Sequence, residues 1–382
     1  MYSVNRLLIV GIGQVLMFAA PIALRVGWAQ GSEPQEPAAK REQGEFDTET
    51  LDQMEKVAKA YHRRGLYSFA ETIMQKVFEV RQKKLGADNP EMAYYHNDLG
   101  FLQAEQGRYA KAEKHYLRAV AITEKTWGPE HPDLADRLNN LAGVYRAQAR
   151  YPEAESLYQR SIEIWERYSG SQDLNIAPSL NNLGGLYSLQ GRFGFAEALF
   201  QRVLRIQEAA LGIEHPEIAT AVNNLAWVYN KQAKYMQAET LYKRVIEIWT
   251  DTYGPEHPDV ALGLNNLGTV YRGLGQFDQA EAFFRQALAI REKILGPDHP
   301  DVGTTIKNLA ELYRDEGRNE EAEPLYRRAL VITEERLGKN HPDAVQLRVG
   351  YAGLISKRTE KTLSNEINPP PNAAPTTSGA AH

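Results

Sequence analysis

The chain of 382 residues contains no cysteine, which excludes a disulfide scaffold, a thiolate zinc site and a cysteine nucleophile together. It also lacks an excess of either charge, since 44 basic against 49 acidic residues leave a net charge of -5. Bulk nucleic-acid binding needs a basic footprint, so no nucleic-acid partner is expected. Its charged content of 24% and aromatic content of 9% sit with ordinary globular chains and away from disordered or collagen-like ones. There is no His-Glu-x-x-His, no Gly-x-Ser-x-Gly and no phosphate loop ending Gly-Lys-Ser/Thr. The carboxylates are scattered along polar faces. No catalytic residue, metal site or cofactor is therefore expected, and the chain reads as non-enzymatic.

Long apolar runs are scarce too, and the longest lies at the start. Leu7 to Leu24 is apolar apart from Gln14, Arg6 precedes it, and no acid occurs before Glu33. Gly27-Trp28-Ala29 then supplies small residues where a signal peptidase reads. Residues 1–29 thus read as a secretory signal, giving an exported, periplasmic or secreted protein. About 18 apolar residues can also just span a bilayer, so the alternative is a membrane anchor over residues 7–24. Gly11, Gly13 and Pro21 favour cleavage. Residues 30–54 are polar and proline-bearing and read as a flexible linker with a helix start. The segment 358–382 includes Asn368-Pro369-Pro370-Pro371-Asn372 and is expected to be a disordered tail.

Between these ends everything repeats every 42 residues. Asn139-Asn140 recurs as Asn181-Asn182, Asn223-Asn224 and Asn265-Asn266, with Asn97-Asp98 and Lys307-Asn308 in the same slots outside that run. Alanines at 112, 154, 196, 238, 280 and 322 keep the register, as do Tyr116, Tyr158, Phe200, Tyr242, Phe284 and Tyr326. Seven units start at about 55, 97, 139, 181, 223, 265 and 307, filling 55–348, and a fixed period of this kind marks a solenoid. Each unit holds two helices. Leu138, Leu141, Ala142 and Tyr145 stand at i, i+3, i+4 and i+7 of the first. Gly107, Gly191, Gly275 and Gly317 break it, with Ala149 and Ala233 as substitutes. The second helix ends at Gly128-Pro129, Gly254-Pro255 or Gly296-Pro297, and the next begins at Pro132, Pro216, Pro258, Pro300 or Pro342. A further helix over 349–357 keeps the register and would cover the last apolar face.

This column order, with Asn-Asn-Leu-Ala and Leu-Gly-Pro-Asp/Glu-His-Pro, resembles the tetratricopeptide repeat in the 42-residue form found in kinesin light chains. The resemblance covers about residues 55 to 348. It implies an all-α fold: a right-handed superhelical solenoid of about seven helix-turn-helix repeats plus a C-terminal capping helix. It also implies a concave groove, lined by the first helix of each unit, that binds protein or peptide segments. A structural component or accessory subunit of an exported envelope complex is the alternative role, and the oligomeric state is left open.

His131, His215, His257, His299 and His341 share one repeat position and invite a metal reading. Equivalent residues in stacked helix pairs lie roughly 16–20 Å apart, two packing distances, which is too far to share an ion. Capping of the following helix is the expected role. Asn97, Asn139, Asn181, Asn223 and Asn265 lie about 100° from the core stripe of a 3.6-residue helix. The resemblance puts them in the groove, where a carboxamide can both donate to and accept from a peptide backbone. Their neighbours Asn140 and Asn224 are expected to tie adjacent repeats instead. Further along the same face stand Arg146, Trp227, Asn230, Lys231, Arg272, Lys307 and Arg314, opposed mainly by Glu105, Asp136, Glu311 and Asp315. These suggest a basic groove suited to acidic partners. One loop departs from the pattern: Gly170 to Pro178 has no His-Pro, so the next helix should start late.

Overall fold

A computed structural model describes residues 46–367 of the chain, and the expectations for the N-terminal signal or anchor and for the Pro369–Pro371 run fall outside them. Among the described residues there are fifteen α-helices and no strand. First helices of each pair are α1 (Thr48–Arg63), α3 (Met92–Glu105), α5 (Pro132–Ala147), α7 (Ala177–Leu189), α9 (Ile218–Lys231), α11 (Pro258–Gly273) and α13 (Pro300–Asp315). Second helices are α2 (Tyr67–Leu85), α4 (Tyr109–Trp127), α6 (Tyr151–Ser169), α8 (Phe193–Leu211), α10 (Tyr235–Tyr253), α12 (Phe277–Leu295) and α14 (Asn319–Leu337), each of 19 residues. A last helix, α15 (Pro342–Ile367), follows. The expected all-α array of helix pairs is therefore what forms.

Local chemistry sets the boundaries. His131, His257 and His299 each accept a hydrogen bond on Nδ1 from the backbone N–H two residues on, at 3.1–3.2 Å, and the helix that follows has Pro at its first turn. His215 and His341 do the same for Glu217 and Asp343. The histidine column is thus spent on capping orphan helix N–H groups. Where His-Pro is missing, Asp173 Oδ1 accepts from Asn175 N–H at 2.7 Å, a 3-10 turn spans Leu174–Ile176, and α7 begins only at Ala177. The late start follows from Pro178, which fits a first helical turn and cannot sit deeper.

The chain divides into two compact units, one ending at Val228 and the other starting at Tyr229. In the N-terminal unit α1 packs on α2, α3 on α4, α5 on α6 and α7 on α8, and α2, α4 and α6 each pack on the first helix that follows. The C-terminal unit repeats this through α11 with α12, α13 with α14, and α14 with α15. Between paired helices the alanine column is fully buried, from Ala112 to Ala322. Tyr158, Phe200, Tyr242 and Phe284 fill the adjoining space with no exposure at all, each worth on the order of 2–3 kcal/mol.

The last helix is longer than the capping helix read over 349–357. Its start is the one expected of Pro342, where the His341 cap repeats the signal that opens α11 and α13, so the segment 349–357 is the middle of one continuous helix. It also continues to Ile367, into the segment read as tail. Leu347 and Leu354 are buried against the array.

Candidate binding surface

The first helices carry the surface that sequence reasoning singled out, and the asparagines on it form a ladder. Asn140 Nδ2 donates to Asn97 Oδ1 at 2.8 Å, Asn182 to Asn139 at 3.0 Å and Asn224 to Asn181 at 3.0 Å. In the C-terminal unit Asn308 donates to Asn265 at 2.9 Å. The second asparagine of one repeat thus bonds the first asparagine of the repeat before it. Both columns serve the tie between repeats that was expected of the second column alone. Asn139, Asn223 and Asn265 are buried, with at most 3% exposure, and Asn97 is half-buried. A carboxamide accepts and donates at once, so one residue type at both positions satisfies an interface that must repeat.

Four residues beyond the first asparagine, two successive repeats carry glycine. Gly143 is half-buried, and a Cβ built there would meet only the Tyr158 hydroxyl, at 3.8 Å. Gly185 takes the same position one repeat on, while Phe101 and Trp227 take it on α3 and α9. Trp227 is half-buried and meets Phe193 edge-on at 6.0 Å. The N-terminal unit therefore presents a floor reaching backbone level at Gly143, with a large ring at that position in the outer repeats.

The basic residues divide. Arg146 is buried. In the C-terminal unit Arg272 lies 2.6 Å from Glu311 and 2.7 Å from Asp315. Arg314 pairs with Asp315 at 3.0 Å and donates to the Tyr326 hydroxyl at 3.1 Å. The expected basic stripe is thus balanced by carboxylates of the same surface. Asn230 Nδ2 donates to Thr269 Oγ1 at 2.8 Å. Lys307 is buried while Lys231 is exposed. Although Lys231 is exposed as a whole, its amine end is partly withdrawn from water, and this together with the positive charge of Lys307 pushes the amine down, with Glu311 opposing.

Two further features were not singled out from the sequence. At four of the turns between paired helices an arginine reaches back to a glutamate of the preceding repeat, while Lys234 and Gln276 take that position in two others. Arg108 meets Glu71, Arg150 meets Glu113 at 2.9 Å, Arg192 meets Glu155 at 2.9 Å and Arg318 meets Glu281 at 2.8 Å. Arg150, Arg192 and Arg318 also lie 3.9–4.0 Å over Tyr145, Tyr187 and Tyr313. Burial alone would raise Glu281, but hydrogen bonds from Arg318, Tyr313 and Arg285 hold it at about 2. The 42-residue recurrence of these arginines and glutamates was the available signal. The second feature lies on α3 and on the α4 residue that meets it. Burial pushes Asp98 up to about 6 and Glu105 up to about 7, and His96 lies 2.9 Å from His115, Nδ1 to Nδ1.

Among the described residues no group of three or more His, Asp or Glu side chains is placed to hold a metal ion. Helix pairs repeated in fixed register, tied by a side-chain ladder, define an α-solenoid repeat protein. The tetratricopeptide repeat pattern matches residues 50–125, 91–167, 133–209, 175–248, 217–293, 284–335 and 301–354, and the chain belongs to that family. No curated protein matches it in sequence. A Podosopora anserina protein described as a kinesin light chain with nearly identical TPR-like repeats is 26% identical over 53% of this chain and 96% of its own, with a TM-score of 0.49. BtubC (BKLC) from P. vanneervenii is 22% identical over 65% of this chain and 94% of its own, with a TM-score of 0.50. The apo form of RapI is 18% identical over 74% of this chain and 97% of its own, with a TM-score of 0.57. The last two share the fold.

Proposed function

We propose that the chain is a non-enzymatic scaffold that binds extended protein or peptide segments along its first helices. Tetratricopeptide repeats mediate protein–protein interaction and generally act as non-catalytic scaffolds. The observation that carries the finer reading is the open floor at Gly143, where nothing but the Tyr158 hydroxyl stands within 4 Å of a Cβ position. A peptide backbone can approach such a floor closely, while rings such as Phe101 and Trp227 offer apolar area to its side chains.

Acidic segments suit the C-terminal unit. A partner carboxylate near Lys231 would relieve the repulsion from Lys307, and it could share Arg272 and Arg314 with Glu311 and Asp315. Residues 1–29 direct the protein to export in this reading, which N-terminal sequencing of the mature chain tests: a retained Met1 on soluble cytosolic protein sinks it.

The groove is tested by selecting peptides from a displayed random library on the wild-type chain and re-measuring them on Gly143→Phe and Trp227→Ala. Loss of binding at least tenfold, with unchanged helical circular dichroism, is expected. Undiminished binding by both variants would show that the partner docks elsewhere.

A further inference from the structure

Glu105 closes α3 on the same face as Phe101, four residues before it. Its Oε1 is buried and has no hydrogen-bond partner, while the residue as a whole is half-buried. Tyr67, at the start of α2, donates its hydroxyl to the carboxyl. Behind these two stands a run of rings: His62 of α1 meets Phe101 edge-on at 5.0 Å and Tyr67 at 5.8 Å.

An acid without an arginine partner is peculiar to this repeat. At the same position the following repeats carry Ala147, Leu189, Lys231, Gly273 and Asp315. Asp315 is the comparable acid, and two arginines hold it. Glu105 therefore meets no requirement of the repeat, and a carboxyl oxygen withdrawn from water without a donor is costly once ionised.

We propose that Glu105, Phe101, His62 and Tyr67 form a subsite for a cationic side chain, arginine or lysine, of a bound protein segment. The proposal rests on the groove reading above, because the segment has to arrive along the first helices. The residue is half-buried, so a turn of its carboxyl brings Oε1 to the surface, where a guanidinium supplies the donor it lacks and lies against ring faces that attract a cation. Burial, offset in part by the Tyr67 bond, pushes the Glu105 carboxyl up to about 7. Cation binding thus draws a proton off the carboxyl into solvent, and affinity rises with pH. The titratable and charged groups around the carboxyl are His62 and Arg63 of α1, Tyr67 of α2, Tyr109 and Tyr116 of α4, and Arg146 of α5, whose charge bears on Tyr109. Burial and Arg63 push His62 down, which favours its neutral form and leaves Glu105 to dominate the response.

The test uses the full chain labelled with 4-fluorophenylalanine and titrated with Nα-acetyl-arginine amide by fluorine NMR. The Phe101 resonance should shift, with an apparent affinity about tenfold higher at pH 8 than at pH 6. A group near pH 7 is roughly one-tenth ionised at the lower value and nine-tenths at the upper. Glu105→Gln should keep the fold and lose the pH dependence. Phe101→Leu, followed through labelled Tyr67, should weaken binding and keep the dependence, which serves if Glu105→Gln fails to fold. A response that is flat with pH, persists in full in Glu105→Gln or is matched by Nα-acetyl-glutamine amide overturns the proposal. Failure of the groove reading is separate: selected peptides would bind Gly143→Phe and Trp227→Ala undiminished while the arginine amide response stands.

Discussion

Asn182 Nδ2 donates to Asn139 Oδ1 at 3.0 Å, joining α7 to α5 where both side chains are withdrawn from water. Neither carboxamide can turn to solvent for a replacement partner. Asn182→Ala therefore leaves Asn139 Oδ1 buried and unsatisfied, with an expected cost of about 1–3 kcal/mol. Urea denaturation followed by circular dichroism measures it. A double-mutant cycle with Asn139→Ala should return most of that energy as coupling. A cost near zero would mean that water replaces the bond.

Two glycines in neighbouring columns of the first helices should respond oppositely to alanine. A Cβ on Gly268 would stand 2.7 Å from Phe284 Cε1, inside any real carbon contact. The same atom on Gly143 meets only the Tyr158 hydroxyl at 3.8 Å. Gly268→Ala should destabilise by about 1–3 kcal/mol through overpacking. Gly143→Ala should stabilise by up to about 1 kcal/mol through helix propensity. Thermal unfolding of the two variants decides, and shifts of the same sign would contradict the close packing of Gly268 on Phe284.

The turns between paired helices give a third prediction. Gly107, Gly191, Gly275 and Gly317 adopt φ of 70–80°, and Ala149 and Ala233 are forced into the same region at 58° and 57°. The left-handed conformation costs an L-residue about 1–2 kcal/mol, and glycine escapes it at the expense of unfolded-state entropy. Ala149→Gly and Ala233→Gly should each stabilise by about 0.5–1 kcal/mol, read as a higher urea midpoint with an unchanged slope. A lower midpoint would mean that the entropy term wins.

How much of this was readable in advance depends on whether a feature is local. The histidine caps and the delayed α7 follow from a few consecutive residues, and the 42-residue columns disclosed the helix pairs. The ladder was half visible: the helical wheel puts Asn139 off the core stripe, but only the stacking of α7 on α5 brings Asn182 against it. The Arg150–Glu113 and Arg318–Glu281 contacts were missed because each joins two residues that look like ordinary surface charges until neighbouring repeats meet. Arg272 was read as part of a basic groove that Glu311 and Asp315 oppose, but the direct pairing of both acids with this one guanidinium is likewise set by stacking.

The His96–His115 contact predicts a pH dependence that no other repeat should share. The matching positions elsewhere are apolar: Leu138, Leu180, Val222, Leu264 and Ile306 against Leu157, Leu199, Leu241, Phe283 and Leu325. With Nδ1 atoms 2.9 Å apart, one imidazole must donate and the other accept, so at least one is neutral. Phe78 closes the pair edge-on from α2, with rings at 4.9 and 6.0 Å. Burial first, then the charges of His115 and Arg118, push His96 down to about 4, while burial also lowers His115 against the pull of Glu71. A histidine depressed in the folded state binds its proton more readily when unfolded. Its contribution is therefore complete above pH 6.5 and drains away as pH falls toward 4. Asp98 and Glu105, raised by burial to about 6 and about 7, act in the opposite sense over an overlapping range. The histidine share is isolated by comparing the wild type with His96→Leu/His115→Leu, which restores the residues of the repeat at 138 and 157. Relative to that variant, the wild type should lose about 2 kcal/mol between pH 7 and 4.5. Urea curves at both values measure it, and a constant difference between the two chains would show that the pair does not titrate with folding.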